Sequence, residues 1–305
     1  MTYENVLVTG GTGFAGSSLQ RLRPEWTYLS SRDCDLTDSR ACYNLFNDIK
    51  PDAIIHLAAR VGGIKESSKN QGEFYYLNSM INLNVVHQAY MAGVPRVLAS
   101  LSTCCFPDIS QTYPMIEEDI LSGLPTETNF GYGYSKRSLF VQINCYREQY
   151  GVNYSTFSPC NLYGPKNDFD LDTSHFVSAM IRRFYEAKDG DTLRFWGSGT
   201  PLRQQLYIDD LSKIVAELLE KHNTNSPLIV APNKNLSIRE MIEICRDVVE
   251  KDVRLEFNNS LDGQFRKDGS NARLLELLGD FEFTSFKEGV RKTYNWYMEN
   301  GALNE

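Results

Sequence analysis

The first half of the chain alternates short apolar runs with stretches of helical periodicity. Residues 5–9 (NVLVT) form an apolar run that ends in glycines, and a helix follows from about Phe14 until Pro24 stops it. Residues 26–30 (WTYLS), 53–58 (AIIHLA) and 96–101 (RVLASL) read as further strands. Between the last two, residues 74–92 have helical spacing, with Tyr76, Met80, Leu83 and His87 near one face. A long helical pattern over 133–149 and a strand over 153–158 (NYSTFS) follow. Such alternation predicts βαβ units and an α/β fold, a Rossmann-type doubly wound parallel sheet with helices on both faces.

After Pro165 the texture changes. Loops lengthen, and short strands at 193–196, 228–231 and 253–257 mix with helices near 175–187, 208–221, 237–250 and 286–299. We therefore expect a cofactor-binding Rossmann domain over 1–164, with later returns near 205–232. Residues 165–305 should form mainly a smaller α/β substrate-binding domain.

Composition adds limits. With 305 residues, 42% hydrophobic and 23% charged, the chain can bury a substantial core and reads as soluble and globular. A formal charge of -8 argues against sequence-independent nucleic-acid binding, which needs basic surface. No apolar run is long enough for a bilayer, and the first residues show no signal-peptide pattern. Seven cysteines without disulfide-framework spacing point to free thiols and a cytoplasmic setting. Cys34, Cys42, Cys145 and Cys245 read as structural. The four histidines form no HxxxH pair and there is no CxxC, so no metal site is expected.

Two motifs carry chemistry. Thr9-Gly10-Gly11-Thr12-Gly13-Phe14-Ala15-Gly16 has glycines at GxxGxxG spacing, after the first strand and opening the first helix. That is where a pyrophosphate can meet the free N–H groups of a helix N-terminus. The second strand ends in Ser30-Ser31-Arg32, which suits a 2′-phosphate better than an acid would, although Asp33 follows. Ser102-Thr103-Cys104 follows the fourth strand, and Tyr132-Gly133-Tyr134-Ser135-Lys136 is a YxxxK on the first turns of a helix. Residues four apart share a helical face, so Lys136 is expected to favour the phenolate of Tyr132.

With these motifs stand HLAARVGGI (56–64), LSTCCFP (101–107), NLYGP (161–165), HFVSAMIRRF (175–184), FWGSGTPLRQ (195–204) and DGQFRK (262–267). Essentially end to end, the chain resembles the extended short-chain dehydrogenases and, more narrowly, the GDP-L-fucose synthases. The resemblance implies NADPH-dependent 3,5-epimerisation and 4-reduction of GDP-4-keto-6-deoxy-D-mannose to GDP-L-fucose. It makes Cys104 the base and His175 the acid, with Ser102 and Tyr132 on the C4 oxygen. Lys136 would tune Tyr132 and hold the nicotinamide ribose. Implied contacts to NADP+ or NADPH are Gly10, Gly13, Phe14, Gly16, Arg32, Asp35, Leu36, Tyr132, Lys136 and Asn161. Implied contacts to the GDP-sugar are Arg183, Trp196, Arg203 and Lys267. A homodimer is implied, packing the helices near 74–92 and 133–149 as a four-helix bundle.

His56, His87 and His222 are expected to be structural. Cys105 and Thr12 depart from the usual pattern, and the Cys105 side chain is expected to point away from Cys104 as strand neighbours do. A 4,6-dehydratase would need an acidic pair where Cys104-Cys105 stand, and a simple 4-epimerase would not need Cys104 and His175. A sister enzyme acting on another GDP-4-keto sugar, or a non-catalytic NADP-binding protein, are the remaining alternatives.

Overall fold

The computed structural model describes residues 3–258, 262 and 264–300. Its first half runs β1 (Val6–Thr9), α1 (Phe14–Leu22), β2 (Thr27–Leu29), α2 (Ser39–Ile49), β3 (Ala53–His56), α3 (Ile64–Lys69), α4 (Gln71–Met91), β4 (Arg96–Ser100), α5 (Phe130–Tyr150) and β5 (Asn153–Pro159). The second half continues through β6 (Asn161–Tyr163), α6 (Phe176–Glu186), β7 (Thr192–Phe195), β8 (Leu202–Arg203), β9 (Gln205–Tyr207) and α7 (Ile208–Lys221). It ends with β10 (Leu228–Val230), β11 (Leu236–Ser237), α8 (Ile238–Val249), β12 (Arg254–Phe257), β13 (Arg266–Lys267), α9 (Ala272–Leu278) and α10 (Phe286–Asn300).

Six strands form one parallel sheet in the order β10-β5-β4-β3-β1-β2. The α/β, Rossmann-type expectation holds. β1, β3 and most of β4 are buried along their length, as strands covered on both faces must be. The chain leaves β1 toward β2 and returns past it to β3, so the topological switch lies between β1 and β3, where such sheets bind ligands. A second apolar cluster, built on Phe184, Ile242, Val290 and Tyr297, gathers α6, α8 and α10. Short strand pairs β7–β12, β6–β9 and β11–β8–β13 frame it.

Two features go beyond the sequence reading. α2 opens behind Asp38, whose carboxylate accepts from the amides of Arg40 (2.8 Å) and Ala41 (3.0 Å), and it buries Cys42 and Phe46 with Ala41, Leu45 and Ile49 packed beside them. On α4, the face marked by Tyr76, Leu83 and His87 is the exposed one. The inward face instead carries Asn78, Asn82 and Asn84 beside Phe74, Val85, Val86 and Ala89. Each of these asparagines is satisfied. Asn78 bonds the amide and carbonyl of Arg60, both at 2.9 Å. Asn84 bonds the carbonyls of Leu36 (3.0 Å) and Thr37 (2.8 Å).

The three histidines expected to be structural are held by hydrogen bonds. His56 Nδ1 meets Thr9 Oγ1 at 2.7 Å, and its Nε2 meets Asn82 Oδ1 at 3.1 Å. His87 meets the Tyr146 hydroxyl at 2.6 Å, and His222 meets the carbonyl of Thr156 at 2.9 Å. Cys34, Cys42 and Cys245 are buried, but Cys145 is exposed on α5 and has no core role. Among the described residues, no helix is long and apolar enough to cross a membrane.

Candidate active site

The glycine loop leaves β1 in a conformation that side chains resist. Gly10 sits at φ +70°, where an added Cβ would lie 2.8 Å from the Ala58 backbone. A Cβ at Gly16 would run into the carbonyl of Gly10, so helix and loop touch backbone to backbone there. Gly13 is the N-cap of α1 and lends it no side-chain cap, and the first turn holds no acidic residue. The first amides of α1, which opens at Phe14, therefore face out with their partial positive charge. This cradle fits a diphosphate.

Beyond β2, Asp33 folds back and accepts from the amide (2.7 Å) and hydroxyl (2.6 Å) of Ser30. Those bonds hold its carboxyl below the usual carboxylate range. One carboxylate oxygen of Asp35 takes the amide (2.9 Å) and hydroxyl (2.7 Å) of Thr37. Asn84 fixes Leu36 from below through its carbonyl. Arg32 stays exposed at the tip of this loop.

The reactive groups gather where β4 ends. Ser102 caps a short 3-10 turn, Thr103–Cys105, and its hydroxyl accepts from the amide of Cys104 at 3.1 Å. This turn corrects the strand-like alternation expected for the two cysteines. Cys105 is directed into the core, its thiol donating to the Ser102 carbonyl at 2.8 Å, while Cys104 is only half-buried. Tyr132 and Lys136 project from the first turns of α5 as their spacing requires. The Ser102 side chain acts on the Tyr132 phenol and offsets part of the effect of its burial. Lys136 is 1% exposed, and its ammonium donates to the carbonyl of Ser100 at 2.8 Å, 5.9 Å from the centre of the Tyr132 ring.

Electrostatics here departs from the sequence expectation. Burial pushes the Tyr132 phenol up, and the neighbouring thiols add to the rise. Lys136 does not reverse this; burial brings its own ammonium down to about 8. At Cys104 the balance goes the other way. Burial raises the thiol, but the charge of Lys267 and hydrogen bonds from Ser102 and Lys267 outweigh it, so the thiol lies below its ordinary value. Lys267 Nζ is 3.2 Å from Cys104 Sγ, and Asn129 Nδ2 is 3.8 Å away.

The remaining residues stand around this centre. His175 is the N-cap of α6 and lies outside the contacts joining Ser102, Cys104, Tyr132 and Lys267. His175 is exposed at the surface, yet the protein packed around its ring lowers the imidazole, with Asp168 pulling the other way. Asn161 opens β6, its amide 3.5 Å from the carbonyl of Gln204. Strand pairing sets Lys267 opposite Arg203. Arg203 donates to the carbonyls of Leu202 (2.8 Å) and Gln264 (2.6 Å). Arg183 bonds the Arg194 carbonyl at 2.9 Å and lies 4.5 Å from the Phe195 ring centre. Trp196, next in the chain, is 80% exposed, which no core role explains. Gly263, within the DGQFRK motif, lies outside the described residues.

Sequence reasoning overlooked Asn129 and the buried line Thr9–His56–Asn82. Asn82 continues that line to the Ser135 carbonyl at 3.2 Å, joining β1, β3, α4 and α5. Asn129 lies three residues before Tyr132, a position that could have flagged it.

Residues 6–231 match the NAD dependent epimerase/dehydratase family. The chain is 36% identical to the GDP-L-fucose synthase of Dictyostelium discoideum, over 97% of this chain and 96% of that one. It is 34% identical to a probable GDP-L-fucose synthase of Drosophila melanogaster, over 97% and 98%. The crystal structure of a GDP-L-fucose synthetase from Naegleria fowleri bound to NADP superimposes with a TM-score of 0.91. Identity there is 31%, covering 99% of this chain and 95% of that one.

Proposed function

The chain belongs to the GDP-L-fucose synthases of the NAD dependent epimerase/dehydratase family, and from that premise we propose how its own residues do the work. The reaction is the 3,5-epimerisation and 4-reduction of GDP-4-keto-6-deoxy-D-mannose to GDP-L-fucose. The observation that carries this reading is the contact of Cys104 with the Ser102/Tyr132 pair at one strand end.

A ketone at C4 acidifies the protons at C3 and C5, because the electron pair left behind delocalises onto the C4 oxygen. Cys104 accepts such a proton: an S–H bond forms, the C–H bond breaks, and the negative charge settles on that oxygen. Ser102 and Tyr132 donate hydrogen bonds to it as oxyanion donors do. His175 returns a proton from the opposite face, inverting the centre, and solvent resets both groups. The same oxygen then takes a proton from Tyr132 as the ketone is reduced. A tyrosine held neutral by burial suits a proton donor better than a phenolate would.

NADPH, when bound, supplies the hydride. Gly10, Gly13, Phe14 and Gly16 would hold its diphosphate, and Ser31 and Arg32 its 2′-phosphate. Asp35, Leu36, Asn161 and Lys136 would complete the pocket. Arg183, Trp196 and Arg203 would bind the GDP end of the substrate, where forked guanidinium donors suit a diphosphate. In this reading residues 1–164, with returns near 205–232, serve the cofactor, and most of 165–305 serve the sugar nucleotide.

The exposed outward faces of α4 and α5, with Tyr76, Leu83, Phe130 and Val141, support a homodimer closed as a four-helix bundle. Light scattering at micromolar concentration should give twice the chain mass; a monomer would contradict this assembly. Cys104, needed as a free thiol, suits a cytoplasmic setting. The decisive test is incubation with GDP-4-keto-6-deoxy-D-mannose and NADPH, with NMR of the product. GDP-L-fucose is expected; an unchanged sugar and unoxidised NADPH would overturn the assignment.

A further inference from the structure

Cys104 and Cys105 are adjacent in the chain, yet their thiols are pushed in opposite directions. Burial pushes Cys105 up to about 11. Cys104 is also crowded, and ends below the ordinary thiol value. The difference between them is Lys267, whose ammonium lies 3.2 Å from Cys104 Sγ. Tyr132 on α5 and Cys105 are the other titratable groups near Cys104; burial, and in part the charge of its sulfur, push both up, so they stay neutral beside it. Ser102 and Asn129 contribute uncharged donors.

Lys267 is held there by the fold. β13 is pinned by pairing with β8, Lys267 standing opposite Arg203. Arg266 forks onto the buried carboxylate of Asp268 with bonds of 2.6 and 2.8 Å. The Asp268 carbonyl in turn accepts from the amide of Met115 at 2.8 Å.

We propose that Lys267 is the positioning residue that keeps Cys104 a thiolate, so that the proton acceptor is charged before any sugar nucleotide arrives. This refines the expected role of Lys267 as a substrate contact, and it rests on the reading of Cys104 as the base. A cation next to sulfur lowers the basicity of the thiolate somewhat, but it multiplies the fraction present near neutral pH. A lysine serving only a diphosphate would leave the thiol of the sugar-free enzyme untouched, and that separates the two roles.

The test uses enzyme without substrate. Alkylation of Cys104 by iodoacetamide is followed by mass spectrometry across pH, with free cysteine as the standard. In Lys267→Met the rate near neutral pH should fall about tenfold or more, with the midpoint moving up by about one unit or more. Lys267→Arg, which keeps the charge, should recover most of that loss. An unchanged rate and midpoint in Lys267→Met would overturn the proposal. Should Lys267→Met fail to fold, the wild-type enzyme answers alone. Its thiolate ultraviolet absorbance, less that of Cys104→Ser, should titrate below free cysteine; a midpoint at or above free cysteine would equally overturn it. If the alkylation shift is present but wild-type enzyme exchanges no sugar protons, the pairing stands and Cys104 as base falls.

Discussion

Two lysines stand beside two acids in this site, and the outcomes are opposite. At α5, Lys136 is buried under Ser100 and 5.9 Å from the Tyr132 ring centre, and the phenol stays protonated. At β13, Lys267 is only half-buried and within 3.2 Å of the Cys104 sulfur, and the thiol is drawn toward its anion. Sequence proximity therefore says little about charge coupling. A cation that is itself desolvated and turned toward a carbonyl cannot offset the burial of its neighbour. One that keeps some water and points at the acidic atom can. The result is a phenol kept protonated beside a thiol drawn toward its anion, the pairing an enzyme needs if it must both deliver and remove protons.

The largest effects should come from separating the two acids. Cys104→Ser should lower deuterium incorporation at C3 and C5 from D₂O by about 10²–10⁴, since a hydroxyl is far too weak a base at neutral pH. Tyr132→Phe should act in the other sense, slowing NADPH oxidation by about 10²–10³ and more than it slows exchange. Mass spectrometry of the sugar beside NADPH consumption measures both. Near wild-type exchange in Cys104→Ser would mean that another residue is the base and that the contrast has no mechanistic content.

A smaller effect tests whether burial governs the α5 side. Burial, and then the charge of Lys136, bring His56 down to about 3 from 6.5. The unfolded chain takes a proton below pH 6.5 that the folded chain refuses until about pH 3, so stability is lost as pH falls through that window. The slope should approach about 1.4 kcal/mol per pH unit for this one group. Urea unfolding of His56→Gln should show a correspondingly flatter decline. The same slope in both proteins would remove His56 as a neutral, buried group.

Legibility from sequence followed the range of the interaction. Tyr132 and Lys136 share a helical face by spacing alone, and the glycine loop declares itself between strand and helix. Lys267 lies 163 residues from Cys104, and its contact depends on a two-residue strand that no periodicity announces. The inward face of α4 was hidden for another reason. Its asparagines look like solvent positions, but they act as buried braces for the cofactor loop and for His56, so the apolar pattern that remained marked the outside. α2 could have been found from its cap, Asp38, together with the apolar stripe Ala41, Cys42, Leu45, Phe46 and Ile49.

The sheet has a further consequence for the order of assembly. β5 is bordered on one side by β4 and on the other by β10, which the chain supplies only after α6 and α7 have been made. Until then β5 presents a bare row of amides and carbonyls, the kind of edge that pairs with other chains. Folding of the nucleotide half during synthesis must therefore wait for a strand drawn from beyond Lys221, and a fragment ending before Leu228 keeps that edge open and is prone to aggregate.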